Sequence, residues 1–352
     1  MEIGEILERS LAFSIDESSQ VGAARRSATG MAAALGLSEA RQGELALMVT
    51  ELGNNLVRHA AQGELFLRVI EPESEADSSV GIELIAVDKG PGMISVSQCL
   101  QDGYSTAGTS GTGMGAIARL AQTLEIYTVP GEGTVLLAQF RDGTRPVPTP
   151  TPLMEYGVIS RPKPGQDICG DSWGVEHLRE KSLYFVADGL GHGPDAARAS
   201  REAVYAFRKY RERSPTEILE GVHSAISKTR GVAAAIAEVD PAAGLVRFAG
   251  IGNIAGSILS GTQNQSMVSH NGILGHQVRK IQEFTYLWTA DSLLLLHSDG
   301  LSSRGQIERY PGLIVRHPGL IAGVLYRDFK RDHDDATVLI ATRPRARTEA
   351  SV

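Results

Sequence analysis

Between Arg141 and Pro152 the sequence RDGTRPVPTPTP places proline at 146, 148, 150 and 152. Proline lacks a backbone donor and biases the residue before it towards extended conformations, so neither a helix nor a central strand runs through such a segment. It reads as a semi-rigid linker over 141–152. A chain of 352 residues exceeds what one hydrophobic core usually organises. The linker leaves a half on each side long enough to fold alone. The expected organisation is a domain over 1–140, a second over 153–343, and a flexible tail over 344–352.

Composition narrows the partners. With 42% hydrophobic and 21% charged residues the chain is an ordinary globular protein. A net charge of −7 argues against a nucleic-acid partner, whose phosphates need a basic surface. Only two cysteines occur, Cys99 and Cys169, one in each half. They support neither a disulfide framework nor a zinc cluster and fit a reducing cytoplasm. No stretch approaches the roughly 18 consecutive apolar residues of a membrane span, so a cytoplasmic protein without a membrane partner is expected.

In the first half, GELALMVTELGNNLVRHAA repeats Leu45, Met48, Leu52 and Leu56 at three- and four-residue spacing, which marks a long helix with one buried stripe. Glu51 and Asn55 are four apart and share a face beside it. Downstream, IELIAVDKGPGM is an apolar, β-rich run that ends in Asp88, Gly90 and Gly92. Then GTSGTGMGAIARLAQTLEI sets Gly108, Gly111, Gly113 and Gly115 ahead of an amphipathic helix. Backbone N–H groups at such a helix start can cradle phosphates.

The second half carries four separated acidic turns: CGD at 169–171, ADGLGHG at 187–193, HSDG at 297–300 and DHDDAT at 332–337. Each sits beside glycine or a small residue, or just before a β-branched run. Strand ends that bring such carboxylates together favour hard divalent cations, which prefer oxygen ligands. No phosphatase Cys-x5-Arg loop is present. Arg161 or Lys163, in SRPKPGQD, is a candidate for contacting a substrate phosphate. His192 reads as a turn or supporting residue, because hard-metal sites are oxygen-rich.

The ordered set Glu51/Asn55, DKGPG and GTGMG resembles the nucleotide-binding boxes of the GHKL ATP-binding fold, closest to the RsbT and RsbW branch of serine switch kinases, over roughly residues 10–140. The resemblance implies that Asn55 holds Mg²⁺ against ATP phosphates and Asp88 meets the adenine amino group. Gly90 and Gly92 would shape the adenine pocket, and Gly111, Gly113 and Gly115 the phosphate lid. Glu51 would orient or deprotonate the attacking hydroxyl or water. Gly53 and the second amide Asn54 depart from an ideal helix sequence, and the four-residue spacing favours Asn55.

The acidic turns resemble the metal-dependent protein phosphatases of the PPM family, in the subgroup of SpoIIE, RsbU and RsbX. By that resemblance Asp188 bridges two Mn²⁺ or Mg²⁺ ions, with the Gly189 carbonyl as a further ligand and Asp171, Asp299 and Asp334 completing the site. Asp334 is preferred to Asp335 as the first acid of the Asp-Asp-x-Thr arrangement.

The fold class expected is therefore α+β in two domains. The first is a GHKL (Bergerat-type) α/β sandwich with a single mixed sheet covered on one face by helices. The second is a PPM-type αββα sandwich. The function implied is a regulator with an ATP-dependent Ser/Thr kinase module and a metal-dependent phosphoserine/phosphothreonine phosphatase module. Its partners would be STAS-domain antagonists in a switch controlling a sigma factor or signalling complex, with a homodimer possible. Two rivals stand beside it: a first domain that only binds nucleotide, and a degenerate phosphatase that acts as a scaffold.

Overall fold

The computed structural model describes residues 10–70, 80–101, 113–142, 152–261, 263–302 and 307–344. The chain divides between Pro152 and Leu153 into two compact units. The segments read as linker and tail lie almost wholly outside the described residues.

The first unit runs β1 (Ser10–Ser14), α1 (Ser18–Ala34), α2 (Glu39–His59), β2 (Glu64–Ile70), β3 (Gly81–Asp88), the single turn α3 (Val96–Cys99), α4 (Gly113–Leu120), β4 (Thr123–Val129) and β5 (Gly133–Arg141). A capping box between Glu17 and Gln20 starts α1, and the Ser38 side chain accepts from the Arg41 N–H to start α2. The stripe expected on α2 is buried, with Val49 added to it. Gly53 has a packing reason: a Cβ there would lie 2.7 Å from Val21 Cγ1, so α1 crosses directly over it.

The sheet has order β1-β2-β3-β5-β4, and every neighbouring pair is antiparallel. This corrects the mixed sheet expected from sequence. The helix pair α1–α2 goes out and returns, so β2 runs against β1, and β4–β5 follow each other directly as antiparallel neighbours do. Alternate residues Leu65, Leu67, Ile82, Leu84, Ala138 and Phe140 form one core with the helices.

The second unit runs β6 (Glu155–Arg161), β7 (Asp171–His177), β8 (Ser182–Gly189), α5 (Pro194–Lys209), α6 (Pro215–Ala225), β9 (Val232–Asp240), β10 (Leu245–Ile251), β11 (Ala255–Ser260), β12 (Gln263–Met267), β13 (Gly272–Ile273), β14 (Gln277–Val278), β15 (Glu283–Leu287), β16 (Leu293–His297), α7 (Pro318–Phe329) and β17 (Ala336–Thr342). Two five-stranded sheets, β15-β10-β9-β8-β7 and β12-β11-β16-β17-β6, share a core of Val158, Tyr184, Val186, Phe248, Leu296 and Leu339. Helices α5 and α6 pack outside the first sheet, where Phe185 stacks on Phe207 at 4.9 Å. Helix α7 lies against β6 and β17 of the second. The architecture is an αββα sandwich, with helices outside two facing antiparallel sheets.

Candidate active sites

The four acidic turns meet at one end of the second unit. Asp171 opens β7 and Asp188 nearly closes β8, and the two are cross-strand partners. In the facing sheet β16 pairs His297 with Val338 of β17, so Asp299, just after β16, lies level with Asp334 and Asp335, just before β17. A Cβ on Gly300 would lie 1.9 Å from the Asp335 carbonyl oxygen, so only glycine lets these two turns touch.

Asp188, Asp299 and Asp334 line one cavity of about 680 Å³ together with Lys163, His192 and Asn253. Asp171 and Asp335 lie behind it, both buried. Asp171 Oδ2 accepts from Ser298 Oγ at 2.6 Å, and the same hydroxyl accepts from the Thr337 N–H at 2.9 Å. Asp335 Oδ1 accepts from the Lys163 N–H at 2.8 Å, and Asp299 Oδ2 accepts from Asn253 Nδ2 at 2.7 Å. The second oxygens of Asp171 and Asp335 are buried with no hydrogen-bond partner. Among the described residues, no three His, Cys, Asp or Glu side chains form a ready-made metal-binding group as they stand. The donors are nonetheless all oxygens, two of them orphaned and buried, which is the chemistry of a hard divalent cation.

Burial, then the charges of Asp171, Asp299, Asp334 and Asp335, push Asp188 up to about 9. Burial also pushes Asp171 up to about 7, partly offset by the Ser298 hydrogen bond. Asp335 is raised as well, chiefly by burial and against the hydrogen bond from the Lys163 N–H. These acids titrate as a group. In the folded chain they keep protons that the unfolded chain releases near its ordinary carboxylate range, so stability falls as pH rises between those limits. In chelator, the urea midpoint of the second unit, referred to that of Asp188→Asn, is expected to fall from about pH 5 to about pH 9. That reference cancels the opposing contributions of His177 and His297. A difference that stays constant across the range would contradict the assignment.

In the first unit, Glu51 and Asn55 stand one turn apart on α2, both half-buried. A Cβ on Gly113 would lie 2.3 Å from Glu51 Oε2, so the start of α4 is packed against that carboxylate. Asp88 Oδ1 accepts from the Gly90 N–H at 2.6 Å, and the Lys89 N–H reaches the Ala61 carbonyl just past α2. Glu51, Asp88, Gly90 and Gly113 thus gather around the C-terminal half of α2. Gly113 and Gly115 belong to the first turn of α4 rather than to a loop before it. This corrects the reading that set both glycines ahead of the helix. Gly108 and Gly111 lie outside the described residues.

Residues 179–344 match the family model of stage II sporulation protein E (SpoIIE), and residues 14–140 match that of the histidine kinase-like ATPase domain. The serine/threonine-protein kinase RsbT of Bacillus subtilis (strain 168) is 29% identical over 116 residues, 33% of this chain and 84% of that protein. The chain joins a histidine kinase-like ATPase domain to a SpoIIE-type phosphatase domain. A solved structure described under the bacterial stressosome, "a modular system that has been adapted to control secondary messenger signaling", is 28% identical with a TM-score of 0.51. It covers 53% of this chain and 98% of its own. A magnesium complex of RsbX is 22% identical with a TM-score of 0.47, covering 53% and 94%.

Within the SpoIIE-type domain, sequence reasoning overlooked Ser298, which the HSDG turn sets next to Asp299, and the side-chain role of Asn253. Ser298 carries the only local signal, its place between a buried strand and an acid. Asn253 sits on the connection that carries the chain from β10 in one sheet to β11 in the other, 46 residues from its partner, and nothing local marks it. Lys163 lines the cavity, whereas Arg161 ends β6 and does not. Among the described residues no helix is long and apolar enough to cross a membrane.

Proposed function

We propose that the chain is a reversible phosphoserine/phosphothreonine switch acting on STAS-type partner proteins, with an ATP-dependent kinase site in the first domain and a metal-dependent phosphatase site in the second. The observation that carries the phosphatase reading is the convergence of Asp188, Asp299 and Asp334 on one cavity, with Asp171 directly behind. Asp171, Asp188, the Gly189 carbonyl, Asp299 and Asp334 are the groups that would hold two Mn²⁺ or Mg²⁺ ions. Bound there, the ions would supply an acidified water and positive charge for the phosphoryl group and leaving oxygen.

The chain's own residues prepare that site. Asn253 and Ser298 fix the orientations of Asp299 and Asp171, as outer hydrogen bonds do for ligating carboxylates. Asp335 is turned towards the Lys163 backbone, which leaves Asp334 as the acid of that pair facing the cavity. Lys163 and His192 stand on the cavity wall, where a phosphoryl oxygen would meet a donor.

In the ATPase domain, Asn55 would hold Mg²⁺ with ATP, and Asp88, Gly90 and Gly92 would take the adenine. Gly113 and Gly115 would offer backbone N–H groups to the phosphates. Glu51, against that helix start, would accept the proton of the attacking hydroxyl. The similarity to RsbT supports this reading. A cytoplasmic setting suits the unpaired thiols Cys99 and Cys169.

Incubation with ATP and candidate STAS partners tests the pairing of activities. Phosphotransfer is expected to fall about a hundredfold in Glu51→Ala and to persist in Asp188→Asn. ATP binding without transfer in the wild type would replace the kinase with a nucleotide-gated binding module.

A further inference from the structure

We infer that Arg230 selects protein substrates carrying an acidic side chain beside the phosphorylated residue. The inference rests on the phosphatase reading of the cavity and adds a rule for which substrates enter it.

Arg230 sits on a turn between α6 and β9 that is built to hold its position. Thr229 is buried; its hydroxyl donates to the Ile226 carbonyl at 2.8 Å and accepts from the Gly231 N–H at 3.1 Å. The Gly231 carbonyl accepts from the Leu190 N–H at 3.0 Å. That bond pins the turn to the loop that follows Asp188. The Arg230 backbone is therefore held beside the acid-bearing loop, while its side chain is half exposed.

The guanidinium lies beside the cavity lip. A Cβ on Gly191 would lie 3.2 Å from Arg230 Nη1, and Gly191 and Leu190 both line the cavity. Arg230 Nη2 is 3.1 Å from Asp195 Oδ2, an ion pair whose two side chains are 50% and 55% exposed. Such exposed pairs are weak and exchange readily. Asp195 has a second cation in reach, with Arg198 Nη2 at 4.0 Å from its Oδ1. It therefore keeps a partner when Arg230 turns to another carboxylate. The Asp195 carboxylate shows the chemistry the site takes, since a guanidinium fork fits a carboxylate closely.

Charge then sets the register of a bound peptide. The cavity that Asp188, Asp299 and Asp334 line is where the ions and the phosphoryl group would sit, so a residue next to the phosphorylated one falls at the lip. Arg230 stands at that lip and attracts a carboxylate. A phosphorylated residue in the cavity with an acidic neighbour at the lip gains that attraction, and a basic neighbour is repelled.

The test uses the full chain with Mn²⁺ and three phosphoserine peptides that differ only in having Asp, Ala or Lys on both sides of the phosphoserine, with p-nitrophenyl phosphate as the small probe. Wild type is expected to favour the Asp peptide over the Lys peptide by about fivefold in kcat/KM. Arg230→Glu should reverse the order, and Asp195→Asn should widen it. An order that Arg230→Glu leaves unchanged overturns the inference. So does an equal loss on all three peptides and p-nitrophenyl phosphate, which would place Arg230 at the phosphoryl group or in the fold. If wild type hydrolyses none of the four probes, the phosphatase reading fails. Fluorescence anisotropy of the same peptides, which needs no turnover, then decides Arg230 separately, with the same order expected and equal affinities overturning it.

Discussion

Asp188→Asn is expected to lower metal-stimulated dephosphorylation by about a thousandfold or more while making the metal-free protein more stable. Asp188 is the acid on which the others converge. Burial and the charges of Asp171, Asp299, Asp334 and Asp335 all raise its proton affinity. A field that favours a proton on this carboxylate favours a divalent cation for the same reason. Asparagine keeps the size of the side chain and removes the charge, so it removes the attraction and the repulsion together. Calorimetric titration with Mn²⁺ should therefore show weakened binding in the variant. Urea unfolding in chelator near pH 8 should show a raised midpoint. A structural role alone predicts that activity and stability fall together, so that joint fall would reject the assignment. Asp299→Asn should share the loss of activity, because Asp299 lines the same cavity and is oriented by Asn253.

The second domain was legible because its chemistry is local. Each acid sits at the end of an apolar strand beside a small residue, and strand ends of a two-sheet sandwich gather at its rims. The preference for Asp334 over Asp335 came from the resemblance, and the structure adds a physical distinction, since Asp335 is buried against the Lys163 N–H while Asp334 lines the cavity. Asn253 and Ser298 were not legible, because their partners lie 46 and 127 residues away. In the first domain the helix stripe of α2 was plain. The strand β1 was not, since SLAFS is five residues with no turn signal to frame it. The antiparallel sheet was missed because strand direction depends on how many elements intervene, and local periodicity carries no such information.

The second face of that first sheet holds the other large effect. In β2 and β3, Glu64, Phe66, Arg68, Glu83, Ile85 and Val87 alternate with the residues that meet the helices. A charged alternation of this kind ordinarily faces water, yet these residues are buried. Arg68 and Glu83 are cross-strand partners, with Arg68 Nη2 2.9 Å from Glu83 Oε1 and side-chain exposures of 6% and 0%. Gln139 of β5, paired with Glu83 in the ladder, donates its Nε2–H to Glu83 Oε2 at 3.0 Å. Arg68→Ala leaves the Glu83 carboxylate buried without its guanidinium, which is expected to cost about 3–5 kcal/mol. Replacing the set together, Arg68→Met with Glu83→Leu and Gln139→Leu, should recover most of that loss, because burying the pair costs desolvation as well as gaining attraction. Urea denaturation of the full chain, with hydrogen exchange followed in β2 and β3 to identify the domain that unfolds, measures both. If the single and triple variants are equally unstable, the stabilisation lies in side-chain shape and packing at these positions. If Arg68→Ala is neutral, the pair contributes nothing beyond its own desolvation.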